Sequence, residues 1–226
     1  MGKIVYVIGK SGTGKSTSIR TLDHKSTYII NVCNKDLPFK GSASKYRVKS
    51  EDHLGNLYAT ADYSTVIKMI KGIAETRPDI KTLIIDDFNY IITKQVFESV
   101  TQKGFDKFTM FAKSVQDIMQ AIQNVRNDLY VFIMWHTELA DDGTYKIKTI
   151  GKMIDNQITP EGLASIVLHT HIKDGKYKFI TQNDGVHLAK SPMGMFDDFF
   201  IDNDINYVIN SMNNYYKSLY DEDVPQ

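Results

Sequence analysis

The sequence predicts an α/β fold with a mainly parallel sheet flanked by helices, followed by antiparallel strands and a terminal helix. Three observations lead to this prediction: short apolar runs alternate with segments of helical periodicity, a glycine-rich loop follows the first run, and a later run ends in two carboxylates. Alternating strands and helices are typical of parallel sheets, because helices make the crossover connections. With 226 residues we expect one domain, 1–226, with a core at 1–182 and a C-terminal extension at 183–226.

The first predicted strand, 3–8, leads into a complete phosphate-binding loop at 9–16, G-x-x-x-x-G-K-S. Residues 17–22 suit the first turns of a helix, and strand, loop and helix are the context in which this motif binds phosphate. Glycines let consecutive backbone N–H groups point at one phosphate. Lys15 would bridge the β- and γ-phosphates of ATP as a catalytic residue, and Ser16 would bind Mg²⁺. The residues expected to hold the nucleotide are Gly9, Lys10, Ser11, Gly12, Thr13, Gly14, Lys15, Ser16 and Thr17.

The remaining elements alternate as the fold class requires. Strands are predicted at 27–32, 81–85 and 129–135, and helices at 62–76 and 107–126, where apolar residues recur every three or four positions. Residues 34–60 are expected to be irregular, and 137–161 to form a long loop or hairpin that turns at Asp142-Gly143. Antiparallel strands at 164–172 and 176–181 and a helix at 204–219 follow.

The strand at 81–85 leads into two adjacent carboxylates, Asp86 and Asp87. A carboxylate at this end of a strand beside a phosphate loop is a typical magnesium ligand, so Asp86 is assigned to Mg²⁺ together with Ser16. Two roles are open for Asp87. It is either a general base that polarises the attacking water or the N-cap of a helix at 88–99.

Two later side chains are further catalytic candidates. His136 follows the strand at 129–135, where a polar residue can sense the γ-phosphate; the alternative is a histidine that caps the strand without a ligand. The last arginine of the sequence is Arg126, so a late cation that acts on a neighbouring subunit's nucleotide would have to be a lysine. Lys190 is that candidate, and the alternative is an ordinary exposed lysine.

The chain resembles the phage-encoded RecA-like P-loop ATPases, a group of phage nucleotide-binding or AAA-type ATP-binding proteins. The resemblance implies a RecA-type core in which the His136 strand lies between the phosphate-loop strand and the Asp86 strand. It also implies that Lys190 corresponds to a lysine that reaches a neighbouring subunit's ATP. The matching pieces are 9–16, 31–41, 84–87, the strand ending in His136, 189–192 and 202–204.

The resemblance implies a function as well: an ATP-binding, ATP-hydrolysing protein that acts on single-stranded DNA in phage recombination or replication. Expected partners are further copies of the chain, in a ring or filament, and a single-strand-binding protein. RecA itself has a catalytic glutamate after its second strand, whereas 31–36 contain none. Asp36 or Asp87 would replace it, or hydrolysis would be slow or absent.

DNA contact is expected from 141–157, which offers Tyr145, Lys146, Lys148 and Lys152. Basic residues beside an aromatic suit a single strand, whose bases stack and whose phosphates pair with lysine. The stretch at 90–105 is a second candidate, and a solvated surface is the alternative for both. Zero net charge argues against a strong whole-molecule attraction to nucleic acid.

Composition and motifs leave two other functions open. A nucleoside or small-molecule kinase would share the phosphate loop. Such enzymes commonly bind the transferred phosphate with arginines from the C-terminal part of the chain, and this sequence has no arginine after Arg126, which argues against a kinase. A nucleotide-gated interaction protein would bind ATP and assemble without touching DNA. The single cysteine, Cys33, allows no internal disulfide, and the apolar run at 129–135 is too short to cross a bilayer. We therefore expect a cytoplasmic protein, in the host cell if phage-encoded, with no membrane partner.

Overall fold

A mixed, mostly parallel sheet is the framework of the structure. The computed structural model of the chain describes residues 2–99, 106–149 and 159–219, and within them nine strands join one sheet with helices on both faces. The predicted α/β class is confirmed at this level. The strands are β1 (Lys3–Gly9), β2 (Thr27–Asn31), β3 (Leu57–Ala59), β4 (Thr82–Asp86), β5 (Tyr130–Leu139), β6 (Tyr145–Ile147), β7 (Ile166–Lys173), β8 (Lys176–Ile180) and β9 (Phe200–Asp202).

Strand β5 lies between β1 and β4, as predicted for the strand that carries His136. The order across the sheet is β3-β2-β4-β5-β1-β7-β8-β9, and β6 pairs with β5 alone. In this parallel register His136 of β5 stands opposite Gly9 of β1, and Asp86 of β4 stands opposite Asn31 of β2. The carboxyl ends of β1, β2, β4 and β5 therefore meet at one edge of the sheet.

Helices cover both faces of the sheet, because the strand residues that point to each of the two faces are apolar. Ile4 and Tyr6 of β1 join an apolar cluster with the helices α2 (Tyr63–Thr76) and α4 (Asp106–Gln123). Val5 and Val7 join a second cluster with helix α5 (Ile205–Ser218) and a 3-10 helix, Ser16–Thr21. Aspartates cap the N-termini of α2 and α5 through their side chains. The helices are α1 (Ser42–Lys45), α2 (Tyr63–Thr76), α3 (Asn89–Glu98), α4 (Asp106–Gln123) and α5 (Ile205–Ser218), and a second 3-10 helix covers Pro160–Leu163.

The segment after the phosphate loop differs from the prediction. It forms only the short 3-10 helix, in which the Ser18 N–H is shared between the carbonyls of Gly14 and Lys15 at 3.1 and 3.2 Å. The Ser18 hydroxyl also donates to Lys15 O. Serine and threonine side chains that bond nearby backbone groups compete with α-helical pairing, and four of the six residues here are of these two types.

Three other differences concern short or paired elements. Strand β5 continues past the predicted end to Leu139, because Thr137–Leu139 pair antiparallel with β6. The turn of this hairpin includes Asp142-Gly143 as predicted, with the Ala140 N–H bonded to Thr144 O at 2.8 Å. The region expected to be irregular contains α1 and β3, and β9 was not predicted.

The C-terminal half follows the predicted order of elements, with the unpredicted β9 added between β8 and α5. β7 runs parallel to β1 and antiparallel to β8, which β9 joins antiparallel in turn. α5 then packs its buried residues Ile205, Val208 and Met212 against the sheet. In the described part of the chain, no helix combines the length and apolar character that a membrane crossing needs.

Candidate functional site

A cavity of about 280 Å³ lies where the carboxyl ends of the central strands meet. Much of the phosphate loop lines it, together with both carboxylates at the end of β4 and with His136 of β5. Gly9, Lys10 and Thr13 belong to the loop but do not line the cavity. The lining residues are Ser11, Gly12, Gly14, Lys15, Ser16, Thr17, Lys35, Asp36, Pro38, Asp86, Asp87, His136 and Tyr177.

The phosphate loop packs closely against β7 and β8. A Cβ on Gly9 would stand 1.9 Å from Thr170 Oγ1, and one on Gly14, where φ is +102°, would stand 2.8 Å from the Tyr177 ring. The hydroxyls of Thr13 and Thr170 are hydrogen-bonded at 2.5 Å, which ties the loop to β7. Glycine is therefore required at both positions by close approach as well as by backbone angle.

Lys15 is buried within its own loop, with 6% of its surface exposed. Its Nζ donates to the carbonyls of Gly9 and Lys10, each at 2.8 Å, and lies 3.3 Å from His136 Nδ1. Burial lowers the pKa of Lys15 to about 8, although the charges of Asp87 and Asp86 oppose the shift. The lysine thus brings an ammonium group to a partly desolvated position beside the cavity.

Ser16 and Asp86 form a hydrogen-bonded pair of oxygen groups beside Lys15. The Ser16 hydroxyl donates to Asp86 Oδ1 at 3.0 Å, and Asp86 is 5% exposed. Burial, with a contribution from the adjacent Asp87 charge, raises the pKa of Asp86 to about 6. A buried carboxyl with a raised pKa lacks a full counter-charge, and a cation would supply one.

Asp87 joins two side chains that the sequence did not connect with it. Its Oδ1 lies 3.0 Å from His136 Nε2, and its Oδ2 accepts from Lys35 Nζ at 3.0 Å. Burial alone would raise the pKa of Asp87, but the hydrogen bonds from His136 and Lys35 outweigh it and hold the pKa below its usual range. If Nε2 donates to Asp87, Nδ1 of the imidazole is left to accept from Lys15.

The alternative role of Asp87 as a helix cap is wrong. Helix α3 begins at Asn89, its N-cap residue is Phe88, and no side chain caps it. Asp87 instead has a left-handed backbone, with φ at +63°, and its carboxylate bonds His136 and Lys35. His136 also lies within β5 rather than capping its end, because β5 continues to Leu139.

Two residues that the sequence analysis missed hold Asp87 and His136 in place. Lys35 follows β2, and its Nζ lies 5.2 Å from the centre of the Tyr90 ring as well as on Asp87. Asn89 accepts from the His136 N–H at 2.7 Å and donates to Lys148 O. For Lys35, the only signal in the sequence was its position at a carboxyl strand end; Asn89 carried none.

The three predicted DNA-binding residues that the structure describes are not grouped as a free surface. Lys146 pairs with Glu138 across the hairpin at 3.1 Å, while Lys148 presents an exposed side chain. The half-buried Tyr145 ring lies 5.0 Å from the ring of His169 and stacks on His187 at 5.3 Å, so it is occupied by protein contacts. Lys152 lies outside the described residues, as does the end of the second candidate stretch, 100–105.

Lys190 is not brought to the cavity of its own chain. Its backbone pairs with Val167 of β7 through two hydrogen bonds, at 2.8 and 2.9 Å, and the residue is half-buried. Nine of the predicted site residues do line the cavity, namely Ser11, Gly12, Gly14, Lys15, Ser16, Thr17, Asp86, Asp87 and His136.

Comparisons with known proteins add no family assignment. A scan of the chain against protein-family models gives no match, and a search of curated proteins gives no significant match. What the cavity can do therefore follows from its residues: backbone and ammonium donors on one side, and a hydroxyl–carboxyl pair on the other.

Proposed function

We propose that this chain is a magnesium-dependent ATPase with a RecA-like P-loop core. The observation that supports this most strongly is the 280 Å³ cavity, which combines the phosphate loop, the buried Lys15 and the Ser16–Asp86 pair. Loop N–H groups and a lysine suit the phosphates of a nucleoside triphosphate. Lys15 would exchange its bonds to Gly9 O and Lys10 O for phosphate oxygens.

The residues present also suit Mg²⁺, which prefers oxygen ligands and keeps much of its water. A hydroxyl and a carboxyl at 3.0 Å, with the carboxyl pKa raised by burial, are such ligands. Within the described ranges, no group of three or more histidine, cysteine or acidic residues could hold a metal ion. A magnesium site of this kind is completed by the nucleotide's phosphates, so Ser16 and Asp86 are sufficient protein ligands. When bound, the ion would neutralise charge on the phosphate oxygens.

The group formed by Lys15, His136, Asp87 and Lys35 would act at the γ-phosphate end. Asp87 is a weak proton acceptor, because His136 and Lys35 hold its pKa low. Phosphoryl transfer passes through a loose transition state, in which positioning and charge matter more than a strong base. In our proposal Asp87 orients His136 and the attacking water, and His136 contacts the γ-phosphate.

Asp87→Asn is expected to spare ATP binding and to slow hydrolysis at least about tenfold. The amide keeps the shape of the side chain but removes the charge that Lys35 and His136 share. Binding of a fluorescent ATP analogue and single-turnover hydrolysis would measure the two effects separately. Asp36→Asn is the matched comparison, because Asp36 lines the same cavity. Normal hydrolysis by Asp87→Asn and slow hydrolysis by Asp36→Asn would transfer the role to Asp36.

The DNA-linked part of the proposal concerns single-stranded DNA in phage recombination or replication, in the cytoplasm of a host cell. ATP hydrolysis measured with and without single-stranded DNA tests it, and stimulation by DNA is the expected result. Retention on the strand should also fall with salt, by about 0.7 in the logarithmic slope for each phosphate contact. ATP binding without any DNA response would favour a nucleotide-gated interaction protein. Lys190, which lies away from its own cavity, would act only on a neighbouring subunit's nucleotide.

One observation favours a kinase as the second candidate. A cavity of about 430 Å³ adjoins the 280 Å³ cavity, which we call the nucleotide cavity, and shares Lys35 and Asp36 with it. Tyr46 and Arg47 are also in its lining. An aromatic ring and an arginine could hold an acceptor nucleoside beside the γ-phosphate. Transfer of labelled phosphate from ATP to a nucleoside would establish this function, and hydrolysis without transfer would exclude it.

A further inference from the structure

A third cavity, of about 360 Å³, shares a wall with the nucleotide cavity and differs from it in charge. The shared wall consists of Ser11, Lys35 and His136. Lys10, Lys35 and Lys148 line this third cavity, which we call the lysine pocket, and none of its described lining residues is acidic. The nucleotide cavity, in comparison, sets two lysines against three aspartates. Of these two cavities, the lysine pocket therefore has the more positively charged lining, which favours an anion.

Protein contacts hold the side chains of two of these lysines and the backbone of the third. Lys10 Nζ lies 5.1 Å from the centre of the Tyr145 ring, and Lys35 is held between Asp87 and the Tyr90 ring. Lys148 is held through its backbone, since its N–H donates to His136 O at 2.8 Å. Its carbonyl accepts from Trp135 Nε1 at 3.0 Å and from Asn89. Two of the three ammonium groups and the backbone beneath the third are thus in place before a ligand arrives, which reduces the entropy that binding would cost.

Thr137 adds a second, independent observation. This residue lines the lysine pocket and is 6% exposed, and its hydroxyl has no hydrogen-bond partner among the described residues. Buried hydroxyls are rarely left unpaired, because the loss of hydrogen bonds to water is costly. A ligand with acceptor oxygens would provide the missing partner after a rotation of the side chain.

We propose that the lysine pocket binds a phosphate group other than those of the nucleotide. Lysines bind phosphate as point charges, and a phosphate oxygen would also accept a hydrogen bond from the Thr137 hydroxyl. The proposal rests on the proposed function only for its place beside the γ-phosphate. The phosphate comes either from hydrolysis, as the released ion, or from the backbone of a bound single strand. In both cases it competes with Asp87 for Lys35.

The test is titration of inorganic phosphate into protein whose nucleotide site is filled with a non-hydrolysable ATP analogue. Lys148→Gln is expected to weaken phosphate binding at least about tenfold, since hydrogen bonds to charged groups are the strong ones. Lys71→Gln is the control, because it removes the same charge from an exposed position on α2 outside both cavities. Equal phosphate affinity in the two variants, or no phosphate binding once the analogue is bound, would overturn the proposal.

A failure of the ATPase proposal can be told apart from a failure of the lysine-pocket proposal. If the analogue does not bind, the same titration is made with Lys15→Ala protein and with the Lys15→Ala, Lys148→Gln double variant. A tenfold difference between these two supports the lysine pocket without a nucleotide site, and equal affinity rejects it. An oligothymidylate then identifies the source: if it displaces phosphate, a strand phosphate is the ligand, and if phosphate still binds, the released ion is.

Discussion

Lys15→Ala is expected to reduce ATP hydrolysis by about 10²–10³-fold or more and to weaken ATP binding severely, because it removes the cation that the loop directs at the phosphates. The structure places this ammonium 3.3 Å from His136 Nδ1 and next to the Ser16–Asp86 pair. Loss of the charge would therefore lower both the affinity for ATP and the rate of hydrolysis. Equilibrium binding of labelled ATP and steady-state phosphate release would measure the two.

The fold should survive this substitution. Burial lowers the pKa of Lys15, which means that the charged form is disfavoured in the folded chain, and removal of the side chain relieves that cost. The carbonyls of Gly9 and Lys10 lose a donor, which partly offsets the gain. An unchanged urea midpoint would show that lost activity is a local effect. ATP affinity and turnover like those of the wild type would refute the assignment of the cavity.

Trp135→Ala is expected to lower the free energy of unfolding by about 3–5 kcal/mol, the usual range for removal of a large buried aromatic. The indole is fully buried, with ring centres 4.5 Å from Phe88 and 5.9 Å from Tyr6. This amount is a large part of the 5–15 kcal/mol that typically stabilises a domain. Trp135 is the only tryptophan of the chain, so urea unfolding should be followed by circular dichroism.

Trp135→Phe separates packing from hydrogen bonding. The smaller ring keeps most contacts with Phe88 and Tyr6 and loses only the Nε1 bond to Lys148 O, which Asn89 continues to satisfy. We expect a loss of about 1–2 kcal/mol for this variant. A Trp135→Ala protein within 1 kcal/mol of the wild type would mean that the packing around Phe88 does not stabilise this face of the sheet.

Elements that depend on local pattern were predicted well from the sequence. The helix expected at 62–76 is α2, with Asp62 as its cap, and the strand expected at 27–32 is β2. Periodicity and capping are properties of consecutive residues, so the sequence alone reveals them. The meeting of Lys15, Ser16 and Asp86 could likewise be expected, because parallel strands bring their carboxyl ends to one edge.

The contacts that were missed join residues far apart in the chain. Asp87 and Lys35 are 52 positions apart in the chain. Their pairing depends on the left-handed backbone of Asp87, a conformation that is rarely predictable from the sequence at a residue other than glycine. Tyr145 looked like a free stacking surface because the sequence gives no sign that His169 and His187 pack against it. The length of β5 was underestimated for the same reason, since its last residues are ordered by β6.

Strand β5 connects the interior of the molecule to both polar cavities. Trp135 anchors it in the core, His136 faces the nucleotide cavity, Thr137 reaches the lysine pocket, and the hairpin projects beyond. A slip of β5 by one residue along its neighbours would move Trp135 from the apolar cluster on one face of the sheet to the cluster on the other, and would exchange the faces of all its other side chains. The Lys148 N–H donates to His136 O at 2.8 Å, so a shift of His136 on ligand binding would be passed directly to the end of the hairpin.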